Sequence, residues 1–183
     1  MVLLILNGPP AVGKLTIAEE LAAKTGYKVF QNNPTVQAVL PIFEFGTPEF
    51  SRTLRRIRLD MLEEAAQSNL DGLIFTFCYD SKEDEIAITE MIDTVERTGG
   101  SVYLTQLTCP ESVLFDRVGS ESRKRHNKII TKERLRSMLD RYELFTPYPL
   151  RESLTIDTSV TTVEQSVNTI LSSFGIANVL DPF

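Results

Sequence analysis

A chain of 183 residues, 42% of them hydrophobic, is long enough for one packed core and short for two. Its net charge of −6 argues against general affinity for nucleic acid or an anionic membrane. No apolar run approaches the ~18 residues that span a bilayer, and Cys78 and Cys109 alone exclude a disulfide framework or a cysteine metal cluster.

The opening run Val2–Leu6 reads as a strand and is too short for a signal peptide, so a reducing cytoplasm is the expected compartment. After Gly8–Thr16 comes a helix over Lys14–Lys24, with Ile17, Ala18, Leu21 and Ala22 on one face and Gly26 as its stop. Tyr27–Phe30 reads as the second strand. A long helix then covers Pro48–Gln67, where Phe50, Leu54, Ile57, Met61 and Leu62 recur at helical spacing. Leu73–Phe77 and Val102–Leu107 are further strands, separated by a helix over Glu83–Arg97 that ends at Gly99. Two helices follow Pro110 and Thr131, then a strand over Leu154–Ile156 and a helix over Val163–Phe174. Short continuous Val, Ile, Leu and Phe runs suit strands buried on both faces, so the pattern predicts a doubly wound α/β sheet in one domain, 1–183.

The chemistry concentrates in Gly8-Pro9-Pro10-Ala11-Val12-Gly13-Lys14-Leu15-Thr16, between the first strand and the first helix. Glycines let the backbone curl so that N–H groups face inward, and the helix N-terminus adds its positive end. Lys14 is placed to reach β- and γ-phosphates. Pro9 and Pro10 donate nothing, but the amides from Val12 to Thr16 are intact. The plain motif has Ser or Thr directly after the lysine to hold Mg²⁺, and here that position is Leu15. Thr16 supplies the hydroxyl one residue later.

Gly-x-Pro-x-x-Gly-Lys-x-Thr resembles the phosphate loop of adenylate kinase and its nucleoside monophosphate kinase relatives. Phe115-Asp116-Arg117-Val118-Gly119 looks like the entry to their lid, here about 118–131, with Arg117, Arg123 and Arg125 at the positions that meet adenine and phosphate. Leu154–Ser159 followed by Val163–Val167 is similar to the last strand and helix of small P-loop kinases, where Asp157 and Thr158 would border the base. Arg141-Tyr142-Glu143-Leu144-Phe145 looks like the helix after the lid in shikimate-kinase-like proteins, where an arginine meets the acceptor. The overall likeness is to proteins labelled shikimate-kinase-like or AAA-type ATPase. It implies a three-layer P-loop NTPase fold with a five-stranded parallel sheet in the order 2-3-1-4-5. ATP would be cradled by Gly8 and Ala11–Thr16, with Lys14, Arg117 and Arg123 catalytic and Mg²⁺ on Thr16.

Candidates for ligand contact sit at the C-terminal strand ends, where ligands bind such sheets: Asn32, Asn33 and Thr76 on the acceptor side, and Asp80, to which a Walker-B-type aspartate would be displaced if one exists. Arg52, Arg55, Arg56 and Arg58 lie on the long helix, and Arg52 is taken as the acceptor-side cation. Phe43 and Phe45 flank an acceptor pocket or belong to the core. The second strand ends in amides where shikimate-kinase-like enzymes carry a carboxylate, and amides orient a hydroxyl but take no proton. His126 is expected to be exposed. The expected function is phosphoryl transfer from ATP to a small molecule by a monomer or homodimer. An NTPase and a catalytically idle nucleotide sensor are the alternatives.

Overall fold

The computed structural model describes residues 1–79, 82–125 and 128–179; Asp80, His126 and the side chain of Arg125 lie outside them. Its strands are β1 (Val2–Asn7), β2 (Lys28–Gln31), β3 (Gly72–Thr76), β4 (Ser101–Thr108) and β5 (Leu154–Asp157). They form one parallel sheet in the order β2-β3-β1-β4-β5, the order expected. The longer helices are α1 (Lys14–Thr25), α2 (Asn32–Val39), α3 (Pro48–Gln67), α4 (Lys82–Arg97), α7 (Lys132–Arg141) and α8 (Val163–Phe174). Between α4 and α7 lie the short α5 (Glu111–Arg117) and α6 (Glu121–Arg125).

Central β1 shows why its run is unbroken. Leu4 and Leu6 pack with Ile17, Leu21 and Ile170 on one face, while Leu3 and Ile5 pack with Leu62, Met91 and Val95 on the other. Alternate side chains point to opposite faces, so a strand covered on both sides has no polar position to offer. The result is a three-layer sandwich, with α1 and α8 on one side and α3 and α4 on the other. Among the described residues no helix is long and apolar enough to cross a membrane.

Helix α2 departs from the sequence expectation. The sequence reading assigns no element between the second strand and Pro48, yet Asn32 opens a helix that runs to Val39. Pro34 is tolerated there because first-turn amides have no partner within the helix to lose. Its turn onto α3 buries Val39 against Phe50 and Leu54. The C-terminal ends of β1 and β3, the loop Gly8–Gly13 and the start of α2 thus share one edge of the sheet.

Candidate functional site

That edge opens as a crevice of about 1350 Å³, lined at one end by Ala11–Thr16 and at the other by α2, α3 and the start of α4. Single small-molecule pockets span roughly 300–1,000 Å³, so the crevice has room for two ligands side by side.

The phosphate loop is built by backbone constraints that only its sequence meets. Gly8 has φ +139°, and a Cβ there would stand 2.3 Å from the Leu107 carbonyl oxygen. Gly13, at φ 107°, turns the chain into α1, and Ala11 holds φ 70° although it is not glycine. That left-handed alanine costs roughly 1–2 kcal/mol, which the surrounding fold must offset. No side chain caps α1, whose ladder begins with the Ile17 amide on the Gly13 carbonyl at 3.1 Å. The amides of Lys14, Leu15 and Thr16 therefore stand at the crevice end of the helix without a place in its ladder. Gly8 itself shapes the loop from beneath and is not a lining residue.

Lys14 folds back over this loop. Its Nζ donates to the Gly8 carbonyl (2.6 Å), the Pro9 carbonyl (2.8 Å) and Cys78 Sγ (3.2 Å). Among the described residues it forms no ion pair. Cys78 is brought there by a buried polar clamp: Asn7 donates to Gln106 Oε1 (2.7 Å), and the Tyr79 amide donates to Asn7 Oδ1 (2.7 Å). The clamp fixes the segment after β3 against the ends of β1 and β4.

Two further cations surround the same spot. Arg123 and Lys128 line the crevice, and Arg123 Nε is held by the Ile129 carbonyl at 2.8 Å. Burial lowers the Arg123 pKa, and burial with repulsion from Arg123 and Lys14 pushes the Lys128 ammonium down to about 8. Lys128 is a cation that the sequence does not single out, because the run Arg123-Lys124-Arg125-His126-Asn127-Lys128 does not show which of its members is covered.

The turn after β5 closes the loop end of the crevice. Thr158 Oγ1 donates to the Val12 carbonyl (2.9 Å), and Arg117 donates to Thr158 Oγ1 (3.0 Å) and to its carbonyl (2.8 Å). Hydrogen bonds thus join Arg117, Thr158 and the loop. Asp157 stays off the lining: it accepts the Ser159 amide and hydroxyl, which hold its carboxyl below the usual range.

The residues present suit a magnesium-bound nucleotide at this loop. The cradle offers amides and cations, the donor set a polyphosphate needs. Leu15 and Thr16 both line the crevice, but Leu15 is only 7% exposed whereas Thr16 is exposed. Among the described residues no cluster of three or more His, Cys, Asp or Glu is placed for a metal, so Thr16 would share the ion with phosphate oxygens and water.

At the other end the structure redistributes the expected acceptor residues. Asn32, Asn33 and Thr76 line the crevice. Arg52 touches its rim but is exposed and paired with Glu49 at 3.3 Å, and Arg55 is paired with Glu90. Arg141 lies outside the crevice, exposed, its guanidinium 5.3 Å from the Tyr142 ring; Tyr142 is the lining residue. The deep cation is Arg58, 6% exposed, which donates Nε (3.0 Å) and Nη2 (2.5 Å) to Asn32 Oδ1 and lies 5.1 Å from the Phe77 ring. Burial lowers its pKa to about 10, opposed by the field of the nearby Asp84 carboxylate. Asp84, at the start of α4, also lines the crevice. Phe45 lines the wall, while Phe43 packs on the Val39, Phe50 and Leu54 cluster.

The fold is similar to that of several solved small-molecule kinases. A sugar kinase from Janibacter sp. HTCC2649, solved unliganded, superposes with a TM-score of 0.66 at 17% identity, over 100% of this chain and 98% of that one. A gluconokinase from Sinorhizobium meliloti 1021 gives 0.64 at 14% identity, over 94% of this chain and 90% of that one. A shikimate kinase from Aquifex aeolicus VF5 gives 0.53 at 16% identity, over 94% and 96%. At such identities the likeness speaks to the fold. The chain matches no family model and no curated protein.

Proposed function

We propose that the chain transfers the γ-phosphoryl group of ATP to a hydroxyl on a small-molecule acceptor. The observation that carries this is Lys14, engaged by loop carbonyls and no carboxylate at the mouth of α1, with Arg123 and Lys128 beside it. Loose phosphoryl-transfer transition states need charge and positioning more than covalent help. In this reading the loop amides and Lys14 hold the β- and γ-phosphates. Arg123 and Lys128, from the lid segment 118–131, offset charge on the moving group and exclude water. Arg117 and Thr158 frame the base. Magnesium, when bound, neutralises and orients the phosphate oxygens, with Thr16 as its protein ligand. Asn32, Arg58 and Asp84 grip the acceptor, and Asp84 orients its hydroxyl and accepts the proton. A cytoplasmic location goes with this reading.

The test is ATP consumption with and without a panel of alcohols. Acceleration by an acceptor supports transfer, and full-rate hydrolysis without one assigns an NTPase. Asp84→Asn should lower kcat about 10²–10⁴-fold while leaving the ATP Kd within about twofold, the separation expected for a base that does not touch nucleotide.

The pH profile adds a second expectation. Without nucleotide Lys128 loses its proton near pH 8, and a bound polyanion raises that pKa. ATP affinity should therefore fall as pH climbs above about 8, and Lys128→Met should flatten the fall. In the unfolded chain this ammonium titrates near 10.5, so between about 8 and 10.5 unfolding takes up a proton and rising pH favours the fold. Calorimetric titrations of both proteins across this range check the first claim, and melting curves without nucleotide check the second.

A further inference from the structure

One amine at the loop end of the crevice has chemistry that phosphoryl transfer leaves unused. Lys128 lines the crevice half-buried, and among the described residues its ammonium has neither a hydrogen-bond partner nor an ion pair. Its cationic neighbours are tethered instead: Lys14 by the Gly8 and Pro9 carbonyls and Cys78, and Arg123 by the Ile129 carbonyl. The Lys128 amide donates to the Arg123 carbonyl at 3.2 Å, so the backbone keeps these two lining residues together.

A half-covered ammonium between two cations lowers its energy in one of two ways: it pairs with an anion, or it gives up its proton. Burial acts on Lys128 most strongly, followed by repulsion from Arg123 on α6 and Lys14 on α1. Glu19 on α1 and Cys78 after β3 oppose them, and together these groups bring its pKa to about 8. At about pH 7.5 roughly a quarter of the chains then hold a free amine, against about one in a thousand for an ordinary lysine. A desolvated neutral lysine is a nucleophile. The phosphate cradle beside it supplies the means to bring an electrophile within reach.

We propose that Lys128 is an acylation site for small acyl phosphates, which dock by their phosphate on the loop amides and Lys14. The docking rests on the phosphate-binding reading of the loop, whereas the reactivity of Lys128 rests on its own surroundings. The amine lone pair attacks the acyl carbon and a C–N bond forms. The bond from that carbon to the phosphate oxygen breaks, inorganic phosphate leaves with the electron pair, and the amine proton passes to water. A docked dianion raises the Lys128 pKa, but less than ATP does with about twice the charge, so a reactive fraction persists. The product is an uncharged amide, and the loop loses one of its three cations. Acylation thereby weakens ATP binding.

Peptide mass spectrometry of the full chain treated with acetyl phosphate tests it, with 4-nitrophenyl acetate as an acetyl donor that carries no phosphate. Acetyl phosphate should modify Lys128 about tenfold or more faster than the exposed Lys28 and Lys132. Lys14→Ala should lower the ratio of the acetyl phosphate rate to the ester rate at Lys128 about tenfold, because it removes a docking contact. The acetylated chain and Lys128→Gln should each bind ATP about tenfold more weakly than wild type. Modification of Lys128 no faster than that of Lys28 and Lys132 overturns the inference, and so does an unchanged rate ratio in Lys14→Ala. ATP titrated into treated and untreated chains keeps the two readings apart. ATP bound equally by both, with Lys128 acetylated, fails this inference alone. Selective, Lys14-dependent acetylation in a chain that binds no ATP upholds it and fails the function proposed above.

Discussion

Gly8→Ala should be the most damaging single replacement in the loop, lowering stability by about 3 kcal/mol or more and abolishing ATP binding. Two independent constraints act at this position. Its φ of +139° lies where L side chains rarely go, and the added Cβ would meet a backbone oxygen of Leu107 at 2.3 Å. That oxygen belongs to β4, which is hydrogen-bonded to β1 on one side and β5 on the other, so it cannot retreat. Moving the loop instead would dismantle the phosphate cradle. For a chain of this size the melting temperature should drop by about 6–12 °C. Gly119→Ala is the control, because that glycine has no positive φ and nothing within 4 Å of its would-be Cβ. It should stay within about 0.5 kcal/mol of wild type. Equal melting temperatures for the two variants would contradict the packing described for Gly8.

Lys14→Ala should leave the fold nearly intact and raise the ATP Kd about 100-fold. The ammonium is held by two loop carbonyls and a thiol, none of them charged partners that would be stranded by its loss. Two charge-assisted contacts to phosphate, each worth roughly 1.5–3 kcal/mol, account for the change in affinity. Thermal shift reads it directly: ATP at about 100 times its Kd stabilises by about 2.7 kcal/mol, and the variant at the same concentration should show well under half of that. Lys14→Arg should not restore it, since a planar fork does not replace a point donor inside a tight loop. Undiminished stabilisation of Lys14→Ala would place the phosphates elsewhere.

The phosphate loop and the five strands are legible in the sequence because their causes are local. A two-faced strand needs an unbroken apolar run, and the loop needs Gly8, Gly13 and Lys14 at fixed spacing. The acceptor end is less legible because its side chains are sorted by packing between elements. Four arginines on α3 look alike until the helix is docked, and only then do Arg52 and Arg55 turn to acids while Arg58 goes inward. A signal was present, however. Phe50, Leu54, Arg58 and Leu62 are spaced by four, so Arg58 interrupts the stripe that is buried. Asp84 is disguised differently: acids are usual in the first turn of a helix, where the dipole favours them, and nothing local marks this one as facing a crevice. Lys128 depends on how the segment after α6 folds back, with its own amide on the Arg123 carbonyl at 3.2 Å. Asn32 shows a fourth cause, since its turn-like neighbours conceal a helix that only Val39, buried against Phe50 and Leu54, makes worthwhile.

One titration bears on the whole account: ATP, ADP and adenosine run separately into the purified chain with magnesium, followed by heat. Polyphosphate recognition by loop amides and Lys14 predicts saturable binding of ATP and ADP below millimolar concentration, with adenosine weaker by about 100-fold or more. Adenosine binding as tightly as ATP, or no heat from ATP at millimolar concentration, would contradict it.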